Sequence, residues 1–348
     1  MGTTTRDISG PGGPRRETPD SGNRAGAAGA PAGPGDPAGA PPGPGEPAAP
    51  GTYGEAPAGY RLPTGAAPGA VTLQVADLAR SLAWYTEVLG LRTIDHGAGR
   101  AVLAAADDTV LVELRERRGV RSVAGRARLG LYHFAILLPD RASLGRFVVH
   151  LSDLGVRAGA GDHLVSEAFY LSDPDGLGIE VYADRPRDAW RRSGRELMMA
   201  TDPVDVPGVV QAAGGEPWTG MPTGTRMGHV HLHVGDLARA TELYHRGLGL
   251  DRMVWSYPGA LFLAAGGYHH HLGLNTWAAG APPAGEEDAR LLEWTLVVPA
   301  AADVAEVAES LEAAGYPVER IGGDVVTQDP WHTRLRVVAR AKRSPATS

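Results

Sequence analysis

Apolar and polar residues alternate over short segments of this chain, and each such segment is followed by apolar residues at helical spacing. Alternation over 71–75 predicts a half-buried strand. Asp77 then serves as the N-cap of a predicted helix, because apolar side chains recur every three or four residues over 78–89. Strand-like runs over 101–104 and 110–114 complete the unit.

The same order of elements recurs three more times along the chain. The second unit opens at 131–140 and continues through a predicted helix over 141–154 and strands over 168–171 and 178–182. The third and fourth units span 228–275 and 291–340. We therefore predict an α+β fold of four βαβββ modules, arranged as two tandem repeats.

The two tandem repeats share their packing residues but not their histidines. Residues 71–91 recur as 230–250, with 11 of the 21 positions identical. Seven of the chain's 12 histidines nevertheless lie between His229 and His271, in the second repeat. His229, His231 and His233 stand where the first repeat has Ala70, Thr72 and Gln74. A duplicated scaffold should keep its core in both copies, so the histidines indicate chemistry in one of them.

Composition places the folded part of the chain after about residue 62. From 25 to 51 every residue except Asp36 and Glu46 is Ala, Gly or Pro, so residues 1–62 are predicted to form a disordered tail. The remainder is predicted to form two domains of two modules each. Their bounds are 63–190 for the first domain, 191–226 for a linker, 227–340 for the second domain and 341–348 for a C-terminal tail.

Composition also excludes several classes of function. The chain has no cysteine, so any metal must be bound by His and carboxylate side chains. Its net charge of −7 argues against a nucleic-acid partner, and the lack of an apolar run of about 18 residues argues against a membrane span. The N-terminus lacks the charged-then-apolar pattern of a signal peptide, so we expect a cytoplasmic protein.

A candidate set of metal ligands emerges when the four modules are aligned. The same position of the opening strands holds Ala70, His133, His229 and Glu293, and the last strands of the even modules align Glu180 with Arg336. Two imidazoles and one carboxylate can bind one face of an octahedral metal and leave the opposite face open to substrate and oxygen. Alternatively, His133 is a hydrogen-bonded core residue and Glu180 a buried ion-pair partner. The coincidence of ligand residues in adjacent modules favours the metal site.

Several segments of the sequence resemble the vicinal oxygen chelate superfamily, which includes glyoxalases and type I extradiol dioxygenases. The segments that carry the resemblance are 130–141, 161–176, 178–182, 228–233 and 260–277. They are most similar to the catechol 2,3-dioxygenase-like, ring-cleaving proteins of Gram-positive bacteria, and the similarity covers about residues 68–340. The resemblance implies paired half-barrel sheets, the glyoxalase and extradiol dioxygenase fold.

The resemblance also implies a reaction and a metal. It implies that His133, His229 and Glu180 bind Fe(II), with Mn(II) as the alternative ion. The implied substrates are O2 and a small aromatic diol of the catechol or hydroquinone type. A homo-oligomer is the assembly that the family suggests.

Further site residues follow from the same resemblance. Tyr170 lies ten residues before the Glu ligand, where the family has a tyrosine that hydrogen-bonds the substrate. The acid/base histidine is expected at His270, with His269 and His271 as rivals. His163 lies in the stretch where the family often places another polar group beside the site.

In many two-domain extradiol dioxygenases all three ligands lie in the C-terminal half, whereas here they come from modules two and three. The resemblance therefore requires module two to pair with module three, leaving modules one and four as a structural pair.

Two other functions remain open on this scaffold. A glyoxalase-like metal-dependent isomerase or lyase usually draws a fourth ligand from the partner module, and the sequence shows no acidic candidate near Asn275. A non-enzymatic binding or resistance protein typically lacks both the ligand triad and the acid/base histidine.

Overall fold

The structure is a computed structural model that describes residues 45–123 and 125–341. Its first strands are β1 (Glu46–Pro47), β2 (Ala67–Val75), β3 (Arg92–Gly97), β4 (Arg100–Ala104), β5 (Val110–Glu116), β6 (Gly130–Leu137), β7 (Gly159–Asp162), β8 (Ser166–Ser172) and β9 (Gly178–Asp184). They are followed by β10 (Arg191–Ser193), β11 (Glu196–Leu197), β12 (Arg226–His233), β13 (Asp251–Val254), β14 (Ala260–Ala264), β15 (Leu272–Asn275), β16 (Arg290–Val298), β17 (Glu319–Ile321), β18 (Asp324–Gln328) and β19 (Arg334–Ala339). The α-helices are α1 (Leu78–Glu87), α2 (Arg141–Asp153), α3 (Val206–Ala212), α4 (Leu237–Thr241) and α5 (Ala301–Ala313).

Two sheets of eight strands each combine two of the four modules. The central-module sheet, built by modules two and three, has the order β13-β14-β15-β12-β6-β9-β8-β7. The outer-module sheet, built by modules four and one, has the order β17-β18-β19-β16-β2-β5-β4-β3. In each sheet the two modules meet through antiparallel opening strands, β12 with β6 and β16 with β2. The required pairing of modules two and three is confirmed, and the sheets fit the predicted paired half-barrel fold.

The opening strands bury one face completely. Val71, Leu73 and Val75 of β2 are 0% exposed, as are the matching residues Val230 and Leu232 of β12. All of them belong to one hydrophobic cluster that includes residues of both sheets and of the helices. Because neighbouring residues of a strand point to opposite faces, the histidines of β12 lie on the other face of the central-module sheet.

Aspartates begin three of the predicted helices, as the sequence indicates. The carboxylates of Asp77, Asp140 and Asp236 each accept a backbone N–H three residues later, over 2.7 to 2.9 Å. The third of these helices differs from the first despite its similar sequence, since α4 continues as a π-helix over Glu242–Gly247.

The first described residues contradict the predicted extent of the N-terminal tail. Within 45–62, β1 pairs with β10 and so joins a small sheet of order β1-β10-β11. Tyr53 is buried, and Arg61 forms two hydrogen bonds with Asp251. Backbone pairing and a few anchoring side chains therefore hold a segment whose composition is poor in apolar residues. The rest of the predicted tail, 1–44, lies outside the described residues.

The predicted linker also has regular structure. It contains β10, β11 and α3, and α3 packs so closely on α2 that a Cβ atom at Gly145 would lie 2.2 Å from the Val209 carbonyl oxygen. The sequence pattern did not reveal α3 because its seven residues are too few to display helical periodicity. The edge strands β3 and β7 were also not predicted. β3 is exposed along its whole length, so its sequence shows no alternation of apolar and polar residues. Residues 342–348 of the predicted C-terminal tail are outside the described residues.

Within the described ranges, no helix combines the length and the apolar character that crossing a membrane requires.

Candidate metal centre

Three neighbouring strands of the central-module sheet bring one ligand-type side chain each to a common point. These side chains are His133 on β6, Glu180 on β9 and His229 on β12. The Nε2 atoms of the two histidines are 3.3 Å apart, and each lies 3.1 Å from Glu180 Oε2. All three residues are buried, with at most 5% of their surface exposed. The grouping that the module alignment predicted is therefore present in the fold.

The separations fit three ligands of one metal ion. Bonds of about 2.1 Å place neighbouring ligand atoms about 3.0 Å apart in an octahedron and about 3.4 Å apart in a tetrahedron. The observed separations of 3.1 to 3.3 Å lie within this range.

The protonation of these side chains also suits a metal. Burial lowers the pKa of His229 to about 4, against the opposing effect of Glu180, so its ring is neutral near pH 7. Burial alone would raise the pKa of Glu180, but the adjacent His229 and His133 outweigh it and hold that pKa well below its ordinary value. A buried carboxylate between two imidazoles is costly unless a positive charge compensates it. The donor set therefore fits a divalent cation.

Strand register identifies where a fourth protein ligand would stand. Glu180 pairs with Ala135, the second residue after the first His ligand. The equivalent residue of module three is Gly273, which pairs with His231. A Cβ atom at Gly273 would come within 2.7 Å of the His231 ring, so no larger side chain fits there. The position of a fourth ligand is therefore closed; it lies at Gly273, two residues before Asn275 on the same strand.

Asn275 instead links two further histidines of β12. Its Oδ1 lies 2.6 Å from His233 Nδ1, and its Nδ2 donates to His231 Nε2 over 3.0 Å. Burial lowers the pKa of His233 to about 4 and that of His231 well below its ordinary value, so both rings are neutral. The His231 ring packs against the His133 ring, with centroids 4.9 Å apart. Asn275 and the His231 ring therefore help to fix the positions of β12 and of the His133 side chain.

A chain of hydrogen bonds fixes the protonation of His270. Asp184 accepts the Nε2 proton of His269 over 3.0 Å, which leaves Nδ1 as the acceptor nitrogen of that ring. His270 Nδ1 lies 2.7 Å from that atom and must donate to it. The lone pair of His270 is therefore on Nε2. The His270 ring packs 4.0 Å from the His229 ring.

Tyr170 and His163 form a second hydrogen-bonded pair. His163 Nδ1 lies 2.7 Å from the Ala200 carbonyl oxygen, which can only accept, so Nδ1 carries a proton. The other ring nitrogen, Nε2, is then the acceptor of a short hydrogen bond from the Tyr170 hydroxyl. Tyr170 pairs with Glu180 across β8 and β9, and its ring lies 5.6 Å from that of His133.

These groups line a single cavity that encloses about 400 Å³, its open mouth included. The lining residues are Tyr132, His133, His163, Tyr170, Glu180, Met199, Ala200, Thr201, His229, His231, Tyr257, Phe262, His270 and Trp277. Aromatic rings thus surround a polar floor, which suits a small flat molecule with polar substituents.

The structure brings every predicted site residue to this cavity and separates the three histidines of the 269–271 run. His270 lines the cavity, whereas His269 lies behind it and His271 lines a different one.

Asp184 is a residue that the sequence reasoning missed. A signal was available, because Asp184 lies on β9 with Glu180 at an even spacing and so faces the same side of the sheet.

Comparisons with known proteins agree with this geometry. The family model described as the Glyoxalase/Bleomycin resistance protein/Dioxygenase superfamily matches residues 68–181 and 226–332. Over 266 residues the chain is 44% identical to the catechol-2,3-dioxygenase of Bacillus subtilis (strain 168), covering 75% of this chain and 93% of that protein. A solved structure from Bacillus subtilis subsp. subtilis str. 168 shares the fold, with a TM-score of 0.57, 11% identity, and coverage of 81% of this chain and 87% of that one. The chain therefore belongs to the Glyoxalase/Bleomycin resistance protein/Dioxygenase superfamily.

Proposed function

We propose that this protein is an Fe(II)-dependent extradiol dioxygenase that cleaves the ring of a catechol- or hydroquinone-type diol with O2. The observation that carries the proposal is the triad of His133, Glu180 and His229, combined with a closed fourth position at Gly273. Three protein ligands leave coordination positions for two diol oxygens and for O2. The catechol-2,3-dioxygenase of Bacillus subtilis, at 44% identity, supports the same activity.

In the proposed reaction the metal and the protein have different roles. When bound, Fe(II) would hold both reactants side by side and pass electron density from the diol to oxygen, and Mn(II) is the alternative ion with the same ligand preferences. The protein holds the ligands in place through three adjacent strands and surrounds them with aromatic rings that exclude water. Its remaining side chains bind, orient and exchange protons with the diol.

His270 is proposed as the acid/base residue. Its Nε2 lone pair is available because its Nδ1 proton is committed to His269, which is itself held by Asp184. A diol hydroxyl can therefore give its proton to Nε2, and the same atom can return that proton to the product. His269 and Asp184 act as positioning residues, since they select the tautomer of His270.

Tyr170 and His163 are proposed to hydrogen-bond the diol or product oxygen. In the structure the Tyr170 hydroxyl donates to His163 Nε2. A proton arriving on that nitrogen would reverse this hydrogen bond, because Nε2 would become the donor. The phenol could then donate its proton to an oxygen in the cavity.

The isomerase alternative is disfavoured by the same register argument. A glyoxalase-like site would need a fourth ligand from module three, and Gly273 has no side chain to supply one. The cytoplasmic location and the homo-oligomer stay predictions from the sequence and the resemblance.

The direct test is anaerobic loading with Fe(II), followed by oxygen uptake with a panel of catechols and hydroquinones. The proposal predicts one O2 consumed per diol and a ring-opened product that absorbs in the near ultraviolet or visible range. The panel also separates the two substrate types. No uptake with any diol, together with tight Zn(II) or Ni(II) binding, would favour the isomerase instead.

A further inference from the structure

A second cavity, which we call the basic cavity, lies on the other side of the loop that carries His270. It encloses about 660 Å³, its open mouth included, and is distinct from the cavity that contains the triad. Its lining residues are Thr64, Gly65, Ala66, Ala67, Arg187, Arg226, Met227, Gly228, Ala265, Gly266, Tyr268, His271 and Arg340. Among the described residues, three arginines and no acidic side chain line it.

The three arginines of the basic cavity have no carboxylate partner within 4 Å in the described part of the chain. Arg187 and Arg226 form no ion pair with any described residue, whereas most other arginines have a carboxylate partner. Arg340 donates one N–H to the Gly65 carbonyl oxygen, over 3.0 Å. Three such guanidinium groups around one cavity are unexpected in a chain whose net charge is −7. Mutual repulsion disfavours this arrangement unless an anion binds between them.

Packing restricts the position of one of these guanidinium groups. The Arg187 guanidinium lies over the rings of Trp190 and Tyr268, with its carbon 5.3 and 5.7 Å from their centroids. These contacts hold the group at the edge of the basic cavity before any ligand binds. A preplaced donor loses less conformational freedom on binding.

A buried donor also belongs to the basic cavity. His271 is only 8% exposed, and its Nδ1 accepts the Ala265 backbone N–H over 3.2 Å. The ring proton of neutral His271 is therefore on Nε2, which has no hydrogen-bond partner among the described residues. Burial and nearby positive groups, Arg226 and Arg187 among them, lower the pKa of His271 to about 3, so the ring stays neutral. A neutral N–H donor beside three cations suits an oxyanion.

We propose that the basic cavity binds a phosphate group through Arg187, Arg226 and Arg340, with His271 as an additional donor. Arginine presents paired N–H groups that match the oxygens of phosphate or carboxylate. A doubly charged phosphate compensates three arginines better than a single carboxylate does. The site is separate from the metal centre, so it stands or falls independently of the proposed dioxygenase activity.

The test is isothermal titration calorimetry of the full chain with inorganic phosphate, at constant ionic strength and both with and without a metal chelator. We expect one saturable site per chain that survives chelation. Arg187→Gln and Arg226→Gln should each weaken binding about tenfold, because each removes charged hydrogen bonds to the anion. Arg118→Gln is the matched control, since it removes the same charge from a side chain that is 87% exposed and lies outside the cavity.

Three results would overturn the assignment. These are the absence of saturable binding, an equal loss in Arg118→Gln, and binding that disappears on chelation. A parallel titration with malonate distinguishes the class of anion. Tighter binding of malonate than of phosphate, with the same dependence on Arg226, would replace the phosphate assignment by a carboxylate one.

Discussion

A single strand position holds different chemistry in the two sheets. In the central-module sheet Glu180 pairs with Ala135 and reaches the two histidines. The equivalent position of module four is Arg336, which forms an ion pair with Glu293 over 2.6 Å. A carboxylate is thus paired with a guanidinium in one sheet, whereas in the other it faces two imidazoles.

Glu180→Gln should release the metal, whereas Glu293→Gln should not. The first change removes the only carboxylate among the three proposed ligands, and the second removes a carboxylate from the position of the outer-module sheet that is equivalent to His133 and His229. Even supporting residues around a metal alter affinity by about 10- to 100-fold, so the loss of a direct ligand should exceed that range. Metal content after loading and desalting, measured by mass spectrometry, checks the prediction. Equal retention by both variants would contradict the ligand assignment.

His270→Asn should lower turnover by about 100-fold or more while leaving metal content unchanged. The reason is that His270 alone of the 269–271 run lines the metal cavity with a free lone pair. His150→Asn, at a half-buried histidine on α2 that does not line the metal cavity, serves as the control. Steady-state oxygen uptake and metal analysis on the same samples give both quantities. A larger loss in His269→Asn or His271→Asn would assign the acid/base role elsewhere.

The sequence could predict the ligand triad because aligned modules differ in residue type at the ligand positions. His133 and His229 occupy a position that holds Ala in module one, so alignment alone exposed them. It could not choose among the three consecutive histidines, because adjacent residues of a loop follow no periodic direction. Hydrogen bonds to Asp184, 85 residues away from His269, make that choice.

At the scale of elements, aspartate N-caps position the helices that cover the sheets. Asp140 accepts the Ser143 N–H over 2.7 Å at the start of α2. Asp140→Ala should lower the free energy of unfolding by about 1 kcal/mol. Asp153→Ala, at the exposed end of the same helix, should change it by less than about 0.5 kcal/mol. Urea denaturation followed by circular dichroism makes the comparison, and equal effects of the two changes would argue against the cap.

Elements were predictable where one face is buried and periodic, and not elsewhere. The α2 helix was expected over 141–154 and lies at Arg141–Asp153. The π-helix at Glu242–Gly247 could not be expected, because its residues keep the helical spacing of the first repeat. The Leu248 N–H bonds to the Leu243 carbonyl oxygen, five residues back, over 2.7 Å, and this choice depends on tertiary packing.

At the scale of the whole molecule, eight of the described histidines are buried, and most of them lie in or beside the metal cavity. Burial lowers the pKa of six of them, namely His229, His231, His233, His245, His270 and His271. The unfolded chain binds protons at these residues below about pH 6.5, and the folded chain does not. Stability contributed by these groups is therefore present above pH 6.5 and is lost as the pH falls toward their folded pKa values.

We expect the metal-free protein to be less stable at pH 5.5 than at pH 7.5. Each histidine contributes up to about 1.4 kcal/mol per pH unit in this window. Asp173 acts in the opposite direction, because burial raises its pKa to about 6, but it is outnumbered. The lowered pKa of Glu180 affects stability only at lower pH. Urea midpoints in the presence of chelator test the sign, and a higher midpoint at pH 5.5 would contradict it.

The pairing of modules explains why one tandem repeat cannot form the site alone. Modules two and three belong to different repeats, yet they share the central-module sheet and supply all three candidate ligands. Separation of the repeats would therefore divide the triad, leaving His133 and Glu180 on one side and His229 on the other.

The most direct measurement is anomalous diffraction at the iron edge from crystals prepared anaerobically with one equivalent of Fe(II). We predict a single peak about 2.1 Å from His133 Nε2, His229 Nε2 and a Glu180 carboxylate oxygen. A peak at the 269–271 histidines, or no peak at the triad in protein that retains iron, would contradict the central claim.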